Sequence, residues 1–251
     1  MPQIIVVSGP NGAGKSTFAY NLLLSEFGIT EFVNADTIAK GISAYNYENV
    51  AFEAGRIMLQ RLRQLLVQHK DFAFETTLSA KSFIPFLSEA KLNGYKIVIV
   101  YFWVESAELA IDRINQRVNE GGHSVKREIV KRRYKRSVHN FRTDYIKIAD
   151  EWMLFNNSED EPVLVAKKID VEVDIYLNNL FDHIMTSRIK EPKEKYFSDP
   201  FYKAVREAFA REMDKRRKLG LPIIVMRNGK IIDLNPQPKS LKTEGITNPN
   251  E

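Results

Sequence analysis

From Gly9 to Thr17 the chain reads Gly-Pro-Asn-Gly-Ala-Gly-Lys-Ser-Thr, which meets the spacing G-x-x-x-x-G-K-[ST]. Glycines at these positions let a loop curl until successive backbone N–H groups face phosphate oxygens. A helix starting at the lysine adds its positive N-terminal end. Lys15 can bridge β- and γ-phosphates, and the Ser16 hydroxyl can ligate Mg²⁺. Gly9, Pro10, Asn11, Gly12, Ala13, Gly14, Lys15, Ser16 and Thr17 are therefore the candidate nucleotide-binding set, with Ser16 the candidate metal ligand. The overlapping Gly12-x-Gly14 is no dinucleotide fingerprint, because the third glycine would have to stand at Thr17.

A phosphate loop says triphosphate; the acceptor must be read elsewhere. In an open α/β sheet, ligands bind at the carboxyl ends of strands. Two apolar segments end in polar residues of that kind, Asn34-Ala35-Asp36 and Glu75-Thr76-Thr77. Asn34, Asp36, Glu75, Thr76 and Thr77 are the candidate substrate-binding residues. Asp36 is the candidate base, since a carboxylate beside the γ-phosphate can orient an attacking hydroxyl and take its proton. The alternative for Asp36 is a helix start, Asp36-Thr37-Ile38-Ala39. Glu75 suits either substrate hydroxyls or support of Mg²⁺ through water.

Between Arg113 and Arg136 stand nine Lys and Arg against two Glu, a surplus of seven that exceeds the net charge of +5 for the whole chain. Only Tyr134 lies among these cations, too few aromatics for a base-stacking platform, so a compact anion site is expected rather than nucleic acid. Arg113 and Arg117 are one helical turn apart and precede Gly121-Gly122, a natural hinge. Arg113, Arg117, His123, Arg133 and Arg136 are the candidate phosphate-binding residues of a flap over about 113–136, with Lys15 and Arg117 joining Asp36 as catalytic candidates. Arg132 and Arg133 each share a helical face with Arg136.

These residues need a scaffold, and the hydropathy pattern supplies one. Ile4–Val7, Glu31–Asn34, Phe72–Phe74 and Ile97–Val104 read as strands, the first, third and last too apolar to face water. Helical spacing follows at Lys15–Phe27 (Phe18, Ala19, Leu22, Leu23), 50–68, 79–92, 107–118 with Ser106 as N-cap, and 126–147. The alternation predicts an α/β fold: a P-loop NTPase-type parallel sheet with right-handed crossovers, helices on both faces, an arginine-rich flap and a small C-terminal helix-hairpin extension. Late strands are expected at Trp152–Phe155 and Val163–Val165, with the sheet ending there. The expected organisation is a kinase domain over 1–190, a helix (200–219) and hairpin about Asn228-Gly229 over 191–235, and a disordered tail over 236–251.

Composition narrows the classes. With 251 residues, 44% hydrophobic and 27% charged, the chain has globular usage. The absence of cysteine excludes disulfides, thiolate metal sites and cysteine nucleophiles. The first apolar run is only strand-length and lacks a basic stretch before it, and no stretch reaches a membrane span, so a cytoplasmic protein is expected.

The blocks Gly9–Thr17, 34–39 (Asn-Ala-Asp-Thr-Ile-Ala), 74–79 (Phe-Glu-Thr-Thr-Leu-Ser) and Arg117-Val118 through Gly121-Gly122-His123 to 132–137 resemble, in this order, those of the zeta-toxin-like P-loop kinases. The resemblance spans about residues 3–185. It implies ATP- or GTP-dependent phosphorylation of a hydroxyl, in the best-known members that of UDP-N-acetylglucosamine, with Mg²⁺, with Asp36 as base and with Arg117 as the matching flap arginine. Two positions depart from the pattern. His123 stands near where the family has a second flap arginine, and Lys126 where relatives often have proline. An antitoxin is a partner the family allows and this sequence does not show. Two alternatives remain open: a kinase of another acceptor, such as a nucleic-acid 5′-end or an antibiotic, and a nucleotide-binding NTPase switch.

Overall fold

The computed structural model describes residues 1–43, 50–120, 125–185, 200–227 and 230–235. Its centre is a seven-stranded sheet ordered β2-β3-β1-β4-β5-β6-β7. β1 (Gln3–Ser8) is flanked in parallel by β3 (Phe72–Thr76) and β4 (Lys96–Trp103), with Ile4 opposite both Phe72 and Ile97. β2 (Phe32–Val33) and β5 (Glu151–Asn156) extend the sheet in parallel on either side. Four fully buried residues, Ile4 to Val7, explain why β1 is central: its two faces are both apolar, so both must be covered.

Each face has its own core. Ile5 and Val7 pack with α1 (Lys15–Phe27), α5 (Ala107–Asn119) and α9 (Pro200–Lys218), through Phe18, Leu109 and Phe209 among others. Ile4 and Val6 pack with α3 (Ala51–Val67), α4 (Phe83–Leu92) and α8 (Asn178–Met185), through Leu62, Phe86 and Ile184. α2 (Ala35–Ile42) follows β2 directly. α6 (Arg127–Asn140) runs through a π-helical turn, Phe141–Tyr145, into the single turn α7 (Ile146–Ile148), covering the expected 126–147 span with a change of pitch. Ser106 caps α5 as its type predicts, accepting from Leu109 N–H at 3.0 Å.

The far edge corrects the expectation of a wholly parallel sheet. β6 (Val163–Ile169) runs antiparallel to β5, and β7 (Glu172–Ile175) antiparallel to β6 beyond the expected end. A crossover needs a dozen or more residues, and the turn from Asn157 to Pro162 is far shorter, so β5 and β6 can only form an antiparallel pair. Asp170, at φ 51°, makes the tight turn into β7. At the C-terminus, α9 buries Val205, Ala208 and Phe209 in the same core as α1. β8 (Ile224–Arg227) and β9 (Lys230–Asp233) form the expected antiparallel ribbon, anchored where Met226 N–H donates to Ser158 O. The turn Asn228-Gly229 and the tail 236–251 lie outside the described residues. Among those residues no helix is long and apolar enough to cross a membrane.

Candidate active site

The loop between β1 and α1 cannot carry side chains where its glycines stand. A Cβ on Gly9 would lie 2.1 Å from the Phe102 carbonyl oxygen, and one on Gly14 would lie 2.4 Å from Asn157 Nδ2, both at positive φ. The loop leads into α1 with Lys15 almost wholly buried. Its Nζ donates to Pro10 O at 2.8 Å and lies 3.7 Å from Glu75 Oε1. Burial pulls the Lys15 pKa below its ordinary value. Glu75 and Asp36 oppose that, and the positive charge of Arg117 adds to it, so residues from β3, α2 and α5 all act on one ammonium.

Glu75 is the hub. Its Oε2 accepts from Ser16 Oγ and from Asn34 Nδ2, each at 2.9 Å. The other end of the Asn34 amide, Oδ1, accepts from Asp36 N–H (2.7 Å) and Thr37 N–H (3.2 Å), so Asn34 is the N-cap of α2. Asp36 itself stands exposed in the first turn of α2, free of the capping task. Asn34 is thus committed at both ends to holding Asp36 and Glu75, and its contribution is positional. Ser16 Oγ beside a carboxylate is the donor chemistry a hard cation takes. Among the described residues there is no cluster of three or more His, Cys, Asp or Glu that could hold a metal by itself.

A cavity of about 720 Å³ joins these groups: Asn11, Gly12, Gly14, Lys15, Ser16, Thr17, Asn34, Asp36, Glu75, Thr76 and Thr77 line it, with Arg113, Arg117 and Arg133. Asn11 Oδ1 is buried there without a hydrogen-bond partner, an acceptor left for a ligand or water to satisfy. Thr76 Oγ1 accepts from Leu78 N–H (3.2 Å), and the Thr77 and Ser79 hydroxyls bond each other at 2.9 Å. Leu78 between them has φ 52°, a strained value for leucine, and is held by Asn140 Nδ2 donating to its carbonyl at 2.8 Å.

The expected flap arginines separate. Arg117 and Arg133 line the cavity; Arg136 is exposed on α6 and does not. Arg113 reaches the cavity wall, yet its guanidinium donates to four backbone carbonyls: Asn157 (2.6 Å), Ile224 (2.8 Å), Ser158 (3.2 Å) and Glu159 (3.3 Å). Burial, reinforced by the charge of Arg216, pulls its pKa down to about 10. Four of its five N–H donors are thus taken by carbonyls, so Arg113 binds α5 to β8 and the β5–β6 turn while it lines the cavity wall. His123 and Gly121-Gly122 lie outside the described residues.

A family model described as an AAA domain matches residues 4–140, from β1 to the end of α6. The chain belongs to this P-loop family. It is 33% identical over 132 residues to an uncharacterized protein of Haemophilus influenzae, covering 53% of this chain and 92% of that one. Among solved structures it resembles the AvrRxo1-ORF1:-ORF2 complex with ATP (TM-score 0.64, 17% identity, 84% of this chain and 76% of that chain). It also resembles a structure from the PezAT chromosomal toxin–antitoxin system of Streptococcus pneumoniae (TM-score 0.55, 14% identity, 86% and 87%). It shares its fold with both.

Beyond the motif blocks of this P-loop chain, the cavity has walls the sequence did not announce. Asn157, buried at the end of β5, donates from Nδ2 to Ala13 O at 3.0 Å and so braces the phosphate loop. Its place after a strand's carboxyl end was the available signal. Phe209 and Met213 of α9 and Phe52 and Arg56 of α3 also line the cavity; neither helix carries a motif that marks it.

Proposed function

We propose that the protein is a phosphotransferase that moves the γ-phosphoryl group of ATP or GTP to a hydroxyl of a small molecule. The observation that carries this is the convergence of Asp36 and Arg117 on the buried Lys15 in one cavity. Phosphoryl transfer needs little covalent chemistry from the protein: it needs a base for the hydroxyl and positive charge for the moving group. The acceptor oxygen forms a bond to the γ-phosphorus as the bond from that phosphorus to the β-bridging oxygen breaks. Asp36 takes the hydroxyl proton and the nucleoside diphosphate leaves. Lys15 and Arg117 face the charge that spreads over the transferring oxygens. Ser16, its hydroxyl oriented by Glu75, would hold Mg²⁺, which would supply charge neutralisation for the phosphates.

Thr76, Thr77, Ser79, Ser82, Phe52 and Arg56 also line the cavity and are the residues we assign to the acceptor. Neither Arg56 nor Arg133 makes an ion pair among the described residues, so two cations stand available for an anionic acceptor. A polyhydroxylated, phosphorylated molecule with a ring to lie on Phe52 suits that lining, and UDP-N-acetylglucosamine, implied by the sequence resemblance, is the first to test. The test is ATP consumption with Mg²⁺, with and without UDP-N-acetylglucosamine, followed by mass analysis of the sugar nucleotide. A product heavier by one phosphoryl group, lost in Asp36→Asn while ATP binding persists, is the expected result. Undiminished transfer by Asp36→Asn would refute the base.

A further inference from the structure

We propose that Arg216, on the C-terminal helix α9, is a positioning residue for Arg117. The proposal rests on the phosphotransferase reading above and adds a second part of the chain to it. Arg117 sits in the last turn of α5, where a helix frays most readily. The residue that caps this end, Glu120, is gripped from α9: Arg216 Nη1 donates to Glu120 Oε1 and Nη2 to Oε2, both at 3.2 Å. Gln116 Nε2 adds a bond to Oε1 at 3.1 Å from within α5. The planar fork meets the carboxylate at two points, which fixes direction as well as distance.

Arg216 is itself held in place. Its Nε lies 3.3 Å from Glu212 Oε1, its Nη1 also donates to Pro222 O at 3.1 Å, and its carbonyl lies 3.5 Å from Asn235 Nδ2. It lines the cavity, yet two carboxylates already balance its charge, so its effect on a bound triphosphate is geometric rather than electrostatic. One turn before Arg117, Arg113 anchors the same helix to β8 through Ile224 O. Arg117 is therefore bracketed by two anchors, and both reach into the α9–β8 unit. The extension holds the flap arginine in register with the phosphate loop that Phe209 packs beside.

Misplacing a catalytic group by about 1 Å costs up to roughly 100-fold in rate. Arg216→Ala and Glu120→Gln should each lower kcat for ATP turnover, to acceptor or to water, by ~10- to 100-fold, with KM for ATP changed far less. The decisive comparison is Arg117→Ala alone against Arg117→Ala with Arg216→Ala. Once Arg117 is gone there is nothing left to position, so the second change should cost no further rate. Hydrogen exchange over 114–120 should quicken in Arg216→Ala and leave α1 unchanged. A further loss of rate on top of Arg117→Ala, or full kcat in Arg216→Ala where Arg117→Ala is impaired, would overturn the positioning role and leave the kinase reading standing. Full turnover by Arg117→Ala would overturn both the assignment of Arg117 and this proposal.

Discussion

Replacing Arg113 by Met separates a structural arginine from a phosphate-binding one. Two of its bonds to carbonyls are short, at 2.6 and 2.8 Å, and two are long, at 3.2 and 3.3 Å. Hydrogen bonds to a charged group contribute about 1.5–3 kcal/mol each when well made, and roughly half that is reasonable for the long pair. The gross contribution is therefore on the order of 4–9 kcal/mol. Against it stands the cost of burying the cation. A pKa brought from 12.5 down to about 10 corresponds to roughly 3 kcal/mol, at about 1.36 kcal/mol per pH unit. The net loss on Arg113→Met is expected within about 1–6 kcal/mol, centred on ~3 kcal/mol. For a chain of this size that lowers Tm by roughly 6–12 °C. Thermal melts by circular dichroism, with and without saturating ATP, measure it, and nucleotide affinity is read well below the melting range. The expected pattern is a lower Tm with ATP affinity within a few-fold of the parent. Arg117→Ala should show the converse, a near-normal Tm with turnover down by a factor of ~100 or more. An Arg113→Met variant of unchanged Tm that has lost ATP binding would refute the reasoning, because that is how a phosphate ligand behaves.

Three further outcomes follow from the same contacts. Burial depresses the Lys15 pKa, so between its lowered folded value and the ordinary 10.5 the unfolded chain binds more protons, and stability should rise with pH through that window; Lys15→Met should flatten this rise in pH-dependent melts and abolish stabilisation by ATP. Asn140→Ala removes the donor to Leu78 O and leaves that buried carbonyl unsatisfied, costing about 1–3 kcal/mol; the Thr77–Ser79 wall should relax, raising KM for the acceptor while leaving that for ATP unchanged, as initial-rate kinetics would show. At Asp150, burial pushes the carboxyl up, but Lys91 and the Ile97 N–H outweigh it and hold the pKa below 3.8. Its contribution is present above 3.8 and lost as pH falls through the lower folded value, so Asp150→Asn should blunt acid unfolding in that window.

How far the site was legible follows from how local each contact is. The phosphate loop was legible because its chemistry is contained in nine consecutive residues between a buried strand and a helix. Asp36 was legible as a strand-end carboxylate, although only the structure assigns the helix cap to Asn34 and so leaves Asp36 exposed at the cavity. Glu75 could be read from sequence as bound either to hydroxyls or toward Mg²⁺. No local pattern shows that its carboxylate takes the Ser16 hydroxyl, 59 residues away. The antiparallel edge was within reach of the sequence too, since the length of the Asn157–Pro162 turn forbids a crossover.

The arginines were a different problem. Spacing by four places Arg113 and Arg117 on one face of α5 and says nothing about what that face meets. The carbonyls that occupy Arg113 come from residues 44 and 111 positions away, and no periodicity encodes them. A cluster of cations near a phosphate loop is therefore a list of candidates in which availability decides function. An arginine whose donors are filled by carbonyls, like Arg113, or balanced by carboxylates, like Arg216, shapes the site. Arg133, which lines the cavity without an ion pair among the described residues, has charge left to meet a ligand. Arg136, by contrast, is exposed on a helix whose buried face is Val130, Ser137 and Asn140, and it does not line the cavity.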